Sequence, residues 1–147
     1  MKKHFVSALL VLLVAFGTGS GCAVANSTPV VAAPKANFAG EFAGEWRGQD
    51  QSTGAMRLKI VPGKDSAWTG SVVFTYGTAD VPTTIKSVRV DGNKVEAVFA
   101  WEVEGTAAST KLVGELKGDQ LEGTYDSTTA EGAAAGKWKA TRVPTRS

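Results

Sequence analysis

The amino-acid sequence predicts an all-β domain, an antiparallel up-and-down meander that closes into a small eight-stranded barrel. Two observations lead to this prediction. Apolar and polar residues alternate through most of residues 42–143, and no segment keeps the helical period of about 3.6 residues. Turn residues recur about every 10 to 15 positions, which is typical of strands joined by tight hairpins.

The clearest predicted strand is 94–104. Val95, Ala97, Phe99, Trp101 and Val103 share one face of it, whereas Lys and Glu dominate the other face. Side chains alternate between the two faces of a strand, so one face packs in a core and the other meets water. The same pattern predicts eight strands in all, at 42–48, 55–61, 68–76, 83–90, 94–104, 110–117, 121–127 and 137–143.

The connections between these strands are short and rich in turn residues. Residues 91–93 (Asp-Gly-Asn) and 118–120 (Gly-Asp-Gln) are typical of tight hairpins, and 62–65 predict a slightly longer turn. Short hairpins make neighbours of consecutive strands. Closing eight strands removes both exposed edges and leaves an interior for side chains or one small ligand. A two-sheet sandwich is the alternative, but it usually needs longer crossovers.

The N-terminal residues predict an export signal. Lys2, Lys3 and His4 precede a largely apolar run at 5–16, which is shorter than the roughly 20 residues that span a bilayer. The predicted division is a signal peptide at 1–21, or to 25 if cleavage follows Ala25, a flexible tether at 22–41 and a barrel domain at 42–147. The tether is rich in Ala, Pro, Ser, Thr and Val and has no period, as in flexible linkers.

Cys22 is the single cysteine of the chain. Residues 19–22 (Gly-Ser-Gly-Cys) resemble a bacterial lipobox, although Gly19 stands where that motif usually has Leu. The resemblance implies lipidation of Cys22, and hence a periplasmic or membrane-anchored lipoprotein that meets a membrane only through this lipid. Cleavage after Ala25 is the other route and gives an exported or secreted protein without an anchor. Neither route leaves a pair of cysteines for an intramolecular disulfide.

Charge and composition exclude several functions. Loss of Lys2 and Lys3 with the signal reduces 16 basic residues to 14, against 14 acidic ones, so we expect no nucleic-acid partner. Loss of His4, the single histidine, leaves no Ser-His-Asp or Cys-His arrangement and no zinc site of His and Cys. The acidic residues fall mostly on outward faces or in turns. We therefore expect no enzyme activity, no metal and no cofactor.

The first predicted strand contains the motif Gly44-x-Trp46. This motif followed by a meander resembles the calycin group, which includes lipocalins, fatty-acid-binding proteins and avidins. In those families the Trp lies across the closed end of the barrel, beneath a basic residue of the last strand. The resemblance implies a structural lock of Gly44, Trp46 and Arg142, with the guanidinium stacked on the indole. The Asn and Ser with which avidins bind biotin have no clear counterpart in residues 47–52, so biotin binding is not implied.

Aromatic residues on the inward faces are the candidate ligand-binding residues. They either fill the barrel or line a pocket for an apolar ligand. We expect a barrel that binds a small apolar molecule in its interior. The alternative is a protein-interaction or inhibitor module that acts through loops such as 106–109 and 128–136, with a filled barrel as scaffold and an unknown partner. The candidate ligand-binding residues are Trp68, Phe74, Tyr76, Phe99, Trp101 and Tyr125.

Overall fold

A computed structural model describes residues 36–145. The predicted signal peptide, Cys22 and most of the predicted tether lie outside these residues. Within the described range, no helix has both the length and the apolar character needed to cross a membrane. A 3₁₀ turn occupies Lys64–Ser66. The strands are β1 (Gly40–Gly48), β2 (Thr53–Pro62), β3 (Trp68–Tyr76), β4 (Ala79–Asp91), β5 (Lys94–Val103), β6 (Thr106–Lys117), β7 (Gln120–Thr129) and β8 (Ala133–Arg142).

The eight strands form one closed barrel. Each strand pairs antiparallel with the next, and β1 also pairs with β8. This closing ladder runs from Phe42 opposite Arg142 to Gly48 opposite Gly136. The predicted all-β, up-and-down, eight-stranded barrel is therefore confirmed. Closure gives every strand two hydrogen-bonded neighbours, so no strand is left as an open edge.

Two hairpins show how the turn residues set the strand order. Gly92 and Asn93 join β4 to β5, and Gly118 and Asp119 join β6 to β7. Gly92 has φ 59° and Gly118 has φ 63°, which are left-handed conformations that glycine adopts without a steric penalty. Both predicted tight hairpins are present, and each holds consecutive strands side by side.

The segments 106–109 and 128–136 are strands for most of their length, so their prediction as loops was wrong. β6 begins at Thr106, and only residues 130–132 separate β7 from β8. Ala108 pairs with Thr129, and Thr128 pairs with Ala133. Thr128 and Thr129 favour strands by themselves, whereas Ala108 and Ala133 do not, so ladder contacts in the barrel determine the conformation of the two alanines.

The half of the barrel that contains the start of β1 and the end of β8 is filled with apolar side chains; we call it the filled end. Phe38, which precedes β1, and Phe42 are both fully buried there. Complete burial of a phenylalanine contributes about 1.5–3 kcal/mol relative to exposure. The core residues packed around them include Leu58, Ile60, Val88, Val95, Leu116, Leu121 and Ala140.

Arg142, at the end of β8, fastens the chain ahead of β1 to the filled end. Its guanidinium carbon lies 4.6 Å from the centroid of the Phe42 ring. Nη1 donates a hydrogen bond to the carbonyl oxygen of Ala39 at 2.6 Å, and Nη2 donates to that of Asn37. Nε donates to the Asp119 carboxylate at 3.0 Å. One side chain thus links β8, β1, the β6–β7 turn and the segment before β1.

The expected stacking of Arg142 on Trp46 was wrong, because the guanidinium lies over Phe42 instead. Phe42 is directly opposite Arg142 in the β1–β8 ladder, whereas Trp46 is opposite Trp138. Four residues of strand place Trp46 about 13 Å farther along the barrel. A Cβ atom at Gly44 would collide with the β8 backbone at Lys139, so this glycine permits close approach of the two strands.

Candidate functional site

The end of the barrel opposite the filled end contains a cavity of about 490 Å³ that opens to solvent. The last residues of β1, β3, β5 and β7 and the first residues of β2, β6 and β8 form its wall, with the β1–β2 loop at its mouth. The lining residues are Trp46, Gly48, Gln49, Asp50, Ser52, Met56, Val72, Phe74, Tyr76, Phe99, Trp101, Thr110, Leu112, Tyr125, Ser127, Thr129, Ala133, Ala134, Ala135 and Trp138.

Four aromatic rings form a connected part of the cavity wall. Trp46 meets Tyr125 edge to face with ring centroids 6.2 Å apart, and it meets Phe74 in the same way at 6.4 Å. Phe74 meets Trp101 at 5.3 Å and 78°. Each such pair contributes about 0.5–1.5 kcal/mol beyond the burial of its area. Because the rings support one another, the wall is preorganised.

A glycine and a backbone carbonyl position the Trp46 indole. Nε1 donates a hydrogen bond to the carbonyl oxygen of Thr75, on β3, at 3.1 Å. Gly54 is directly opposite Trp46 on β2, and a Cβ atom there would collide with the indole. The ring can therefore cross β2 to reach β3, where it packs on Phe74.

Tyr125 lies over two glycines of the closing ladder. A Cβ atom at Gly136 would come 2.7 Å from both Cε1 and the hydroxyl of Tyr125, and one at Gly48 would also approach that hydroxyl. Burial raises the pKa of Tyr125, and the negative charge of Asp50 raises it further. Hydrogen bonds from the Ser52 hydroxyl and then its backbone N–H lower the pKa of Asp50. The mouth thus carries a carboxylate next to a neutral phenol at pH 7.

We expect Tyr125 to ionise at a pH above the ordinary tyrosine value of about 10. In a Tyr76→Phe background it is the single remaining tyrosine, so tyrosinate absorbance reports it alone. The substitution Asp50→Asn should lower the titration midpoint. The raised pKa favours the folded state below pH 10, and this contribution is lost as pH rises through the folded-state pKa. A midpoint at or below that of the urea-unfolded protein would contradict this expectation.

A buried hydroxyl pair interrupts the apolar wall. The Thr110 and Ser127 side-chain oxygens, on the adjacent strands β6 and β7, are 2.6 Å apart. The Trp101 indole Nε1 donates to the Thr110 oxygen at 2.8 Å. Among residues 36–145, Thr110 and Ser127 are the only buried polar residues. They give the cavity a directional polar contact inside an aromatic surface.

Trp138 forms the boundary between the cavity and the core. It is only 3 % exposed, and Nε1 donates to the carbonyl oxygens of Val113 and Thr124, each at 3.1 Å. A Cβ atom at Gly114 would collide with its ring. Gly114 and Gly136 thus make room beside the rings of Trp138 and Tyr125.

The cavity lining carries few charged groups. Asp50 is the one carboxylate in the cavity lining, which has no Lys, Arg or His. Across residues 36–145 no group of three or more His, Cys, Asp and Glu side chains could hold a metal ion. The polar groups of the wall are hydroxyls, amides and an indole N–H, which hold a ligand in place through hydrogen bonds.

The structure brings five of the six candidate ligand-binding residues together. Phe74, Tyr76, Phe99, Trp101 and Tyr125 all line the cavity, with Tyr76 at the mouth and 55 % exposed. The buried polar residues of the described chain, Thr110 and Ser127, were not among the candidates.

Trp68 is separate from the cavity. It is half-buried at the start of β3, where it pairs with Pro62 and Val88 and packs against the core. Trp68 does not line the cavity, because the alternation of residues gives the face of a strand but not the position along it. Eight residues of strand separate Trp68 from Tyr76 by about 26 Å.

The fold and the cavity together define a class: a small closed β-barrel protein with an aromatic-lined internal cavity open at one end. Comparisons of the chain with protein-family models, with curated proteins and with solved structures return no match.

Proposed function

We propose that this protein binds a small, mainly apolar molecule in the cavity. The cavity volume of about 490 Å³ is the observation that carries this proposal. Small-molecule sites usually measure about 300–1,000 Å³ and combine apolar walls with a few placed polar groups. The aromatic wall and the buried hydroxyl pair match that composition.

The residues at the mouth support an open interior. Ala133, Ala134 and Ala135 line the cavity in succession, and Gly48 lines it from the facing end of β1. Larger side chains at the inward positions Ala134 and Gly48 would fill the space, as apolar side chains do at the filled end. An eight-stranded meander also fits the resemblance to calycins, in which barrels such as lipocalins hold one ligand inside.

The direct test is a titration of the purified protein with the neutral ketone dye prodan, whose emission shifts to the blue in apolar surroundings. We expect a saturable shift with one dye per protein and a dissociation constant on the order of 10 μM. Emission of Trp46 and Trp101 should change in parallel, because both line the cavity.

A second apolar compound of similar size should displace the dye. No shift from a protein that still unfolds cooperatively would refute the binding role and redirect the search to protein partners. A shift that grows without saturation would indicate adsorption to the surface and would count against the proposal as well.

We also propose that the protein is exported and anchored through a lipid on Cys22, on the basis of the N-terminal residues. Mass spectrometry of the protein purified from a bacterial membrane fraction should find an N-terminal acylated Cys22. A mature chain that begins at Asn26 would indicate export without an anchor, and an intact Met1 would refute export.

A further inference from the structure

We infer that the ligand is an uncharged, largely apolar compound with one hydrogen-bond acceptor, such as a carbonyl or ether oxygen, and that the Thr110–Ser127 hydroxyl pair donates to it. This inference rests on the binding role proposed above. It adds the charge of the ligand, its polar group and the protein atoms that recognise that group.

A count of protons shows that the hydroxyl pair has one to donate. Thr110 and Ser127 carry one hydroxyl proton each, and their oxygens are 2.6 Å apart, so one proton lies between them. Trp101 supplies a further proton to the Thr110 oxygen. In the described part of the chain neither oxygen has another hydrogen-bond partner. Whichever hydroxyl donates within the pair, the proton of the other has no protein acceptor.

The surroundings of this remaining proton favour a ligand acceptor. Thr110 is 4 % exposed and Ser127 is 7 % exposed, yet both line the cavity. A buried donor without an acceptor is unfavourable. An oxygen atom on a bound molecule would satisfy it, while the apolar part of that molecule packs on the aromatic wall.

The charges around the cavity favour a neutral ligand. An anion would lose its water without meeting a positive side chain, because no Lys, Arg or His lines the cavity. It would also face the carboxylate of Asp50. A cation has no buried counter-charge, because Asp50 is exposed and already accepts hydrogen bonds from the N–H and hydroxyl of Ser52.

Three naphthalenes of similar size can test this inference by competition with prodan: acetylnaphthalene, ethylnaphthalene and naphthoate. In the native protein at pH 7, naphthoate should bind at least about tenfold more weakly than acetylnaphthalene. The double variant Thr110→Val with Ser127→Ala should weaken acetylnaphthalene about fivefold to tenfold. It should leave ethylnaphthalene within about twofold, because a hydrocarbon accepts no hydrogen bond. Valine keeps the shape of threonine, but the Trp101 N–H loses its acceptor in this variant, and the hydrocarbon reports any change in packing that follows.

The matched control is Ser109→Ala with Thr124→Val, which removes two exposed hydroxyls from the same strands. It should change neither affinity. Equal effects of the cavity variant on the ketone and the hydrocarbon would overturn the inference and leave the binding role intact. Tightest binding of naphthoate would overturn it without any variant. Failure of prodan and all three compounds to bind would instead refute the binding role itself.

Discussion

Replacing Trp138 with alanine should lower the free energy of unfolding by about 3–5 kcal/mol, the usual cost of removing a buried tryptophan. The side chain is 3 % exposed, packs against Gly114 and donates to two backbone carbonyls. Its loss would extend the cavity towards the core. Urea denaturation followed by far-UV circular dichroism measures the change.

Two further variants separate the contribution of the Trp138 N–H from that of its ring and provide a control at an exposed position. Trp138→Phe keeps an aromatic ring but removes the N–H, and it should cost about 1–2 kcal/mol. Lys137→Ala, at the exposed neighbouring position, should change stability by no more than about 0.5 kcal/mol. A loss below about 1 kcal/mol for Trp138→Ala would mean that Trp138 does not support the barrel.

Replacing Ala134 with tryptophan should weaken prodan binding by more than about tenfold, equal to at least about 1.4 kcal/mol. Ala134 lines the cavity and pairs with Ser127 across the β7–β8 ladder. An indole at this position would occupy space that the ligand needs. Because it fills a cavity rather than a packed core, the stability of the barrel should change by less than about 1 kcal/mol.

The matched control for this variant is Ala107→Trp. Ala107 is exposed on β6 and is not a cavity-lining residue, because its neighbour Ala108 takes the inward position. Prodan affinity should stay within about twofold of the native value. Unchanged binding in Ala134→Trp would show that the dye occupies another part of the molecule.

The alternation of apolar residues was sufficient to predict the fold but not the full length of each strand. β4 was predicted at 83–90 and spans Ala79–Asp91, and β6 was predicted at 110–117 and spans Thr106–Lys117. The added residues include Ala, Asp, Pro, Thr and Ser, which are mostly poor strand formers. Their strand conformation depends on pairing with distant residues, so local sequence carries little sign of it.

The candidate residues were chosen only by the strand face on which the alternation places them. This explains why most of them line the cavity and why Trp68 does not. Phase placed Phe74, Phe99 and Trp101 inside the barrel, where the structure has them. Thr110 and Ser127 are on the same inward face as Leu112 and Tyr125, but the candidate residues were all aromatic. The signal for the hydroxyl pair was present in the alternation itself.

The position of Trp46 shows a second limit. A Gly-x-Trp motif predicted a tryptophan at the closed end, yet the register of β1 against β8 places Phe42 there and Trp46 in the cavity wall. The register joins strands about 90 to 100 residues apart in the chain, so the motif on β1 alone does not determine it.

The contacts of Arg142 have a practical consequence for the direction in which the cavity faces. They hold Asn37 and Ala39 at the filled end, and β8 also finishes there. Both ends of the described chain therefore leave the barrel on the side away from the mouth. Attachment to a bead, a sensor chip or a lipid layer through residues ahead of Ala36 would present the mouth to the solution, so an immobilised barrel should remain accessible to its ligand.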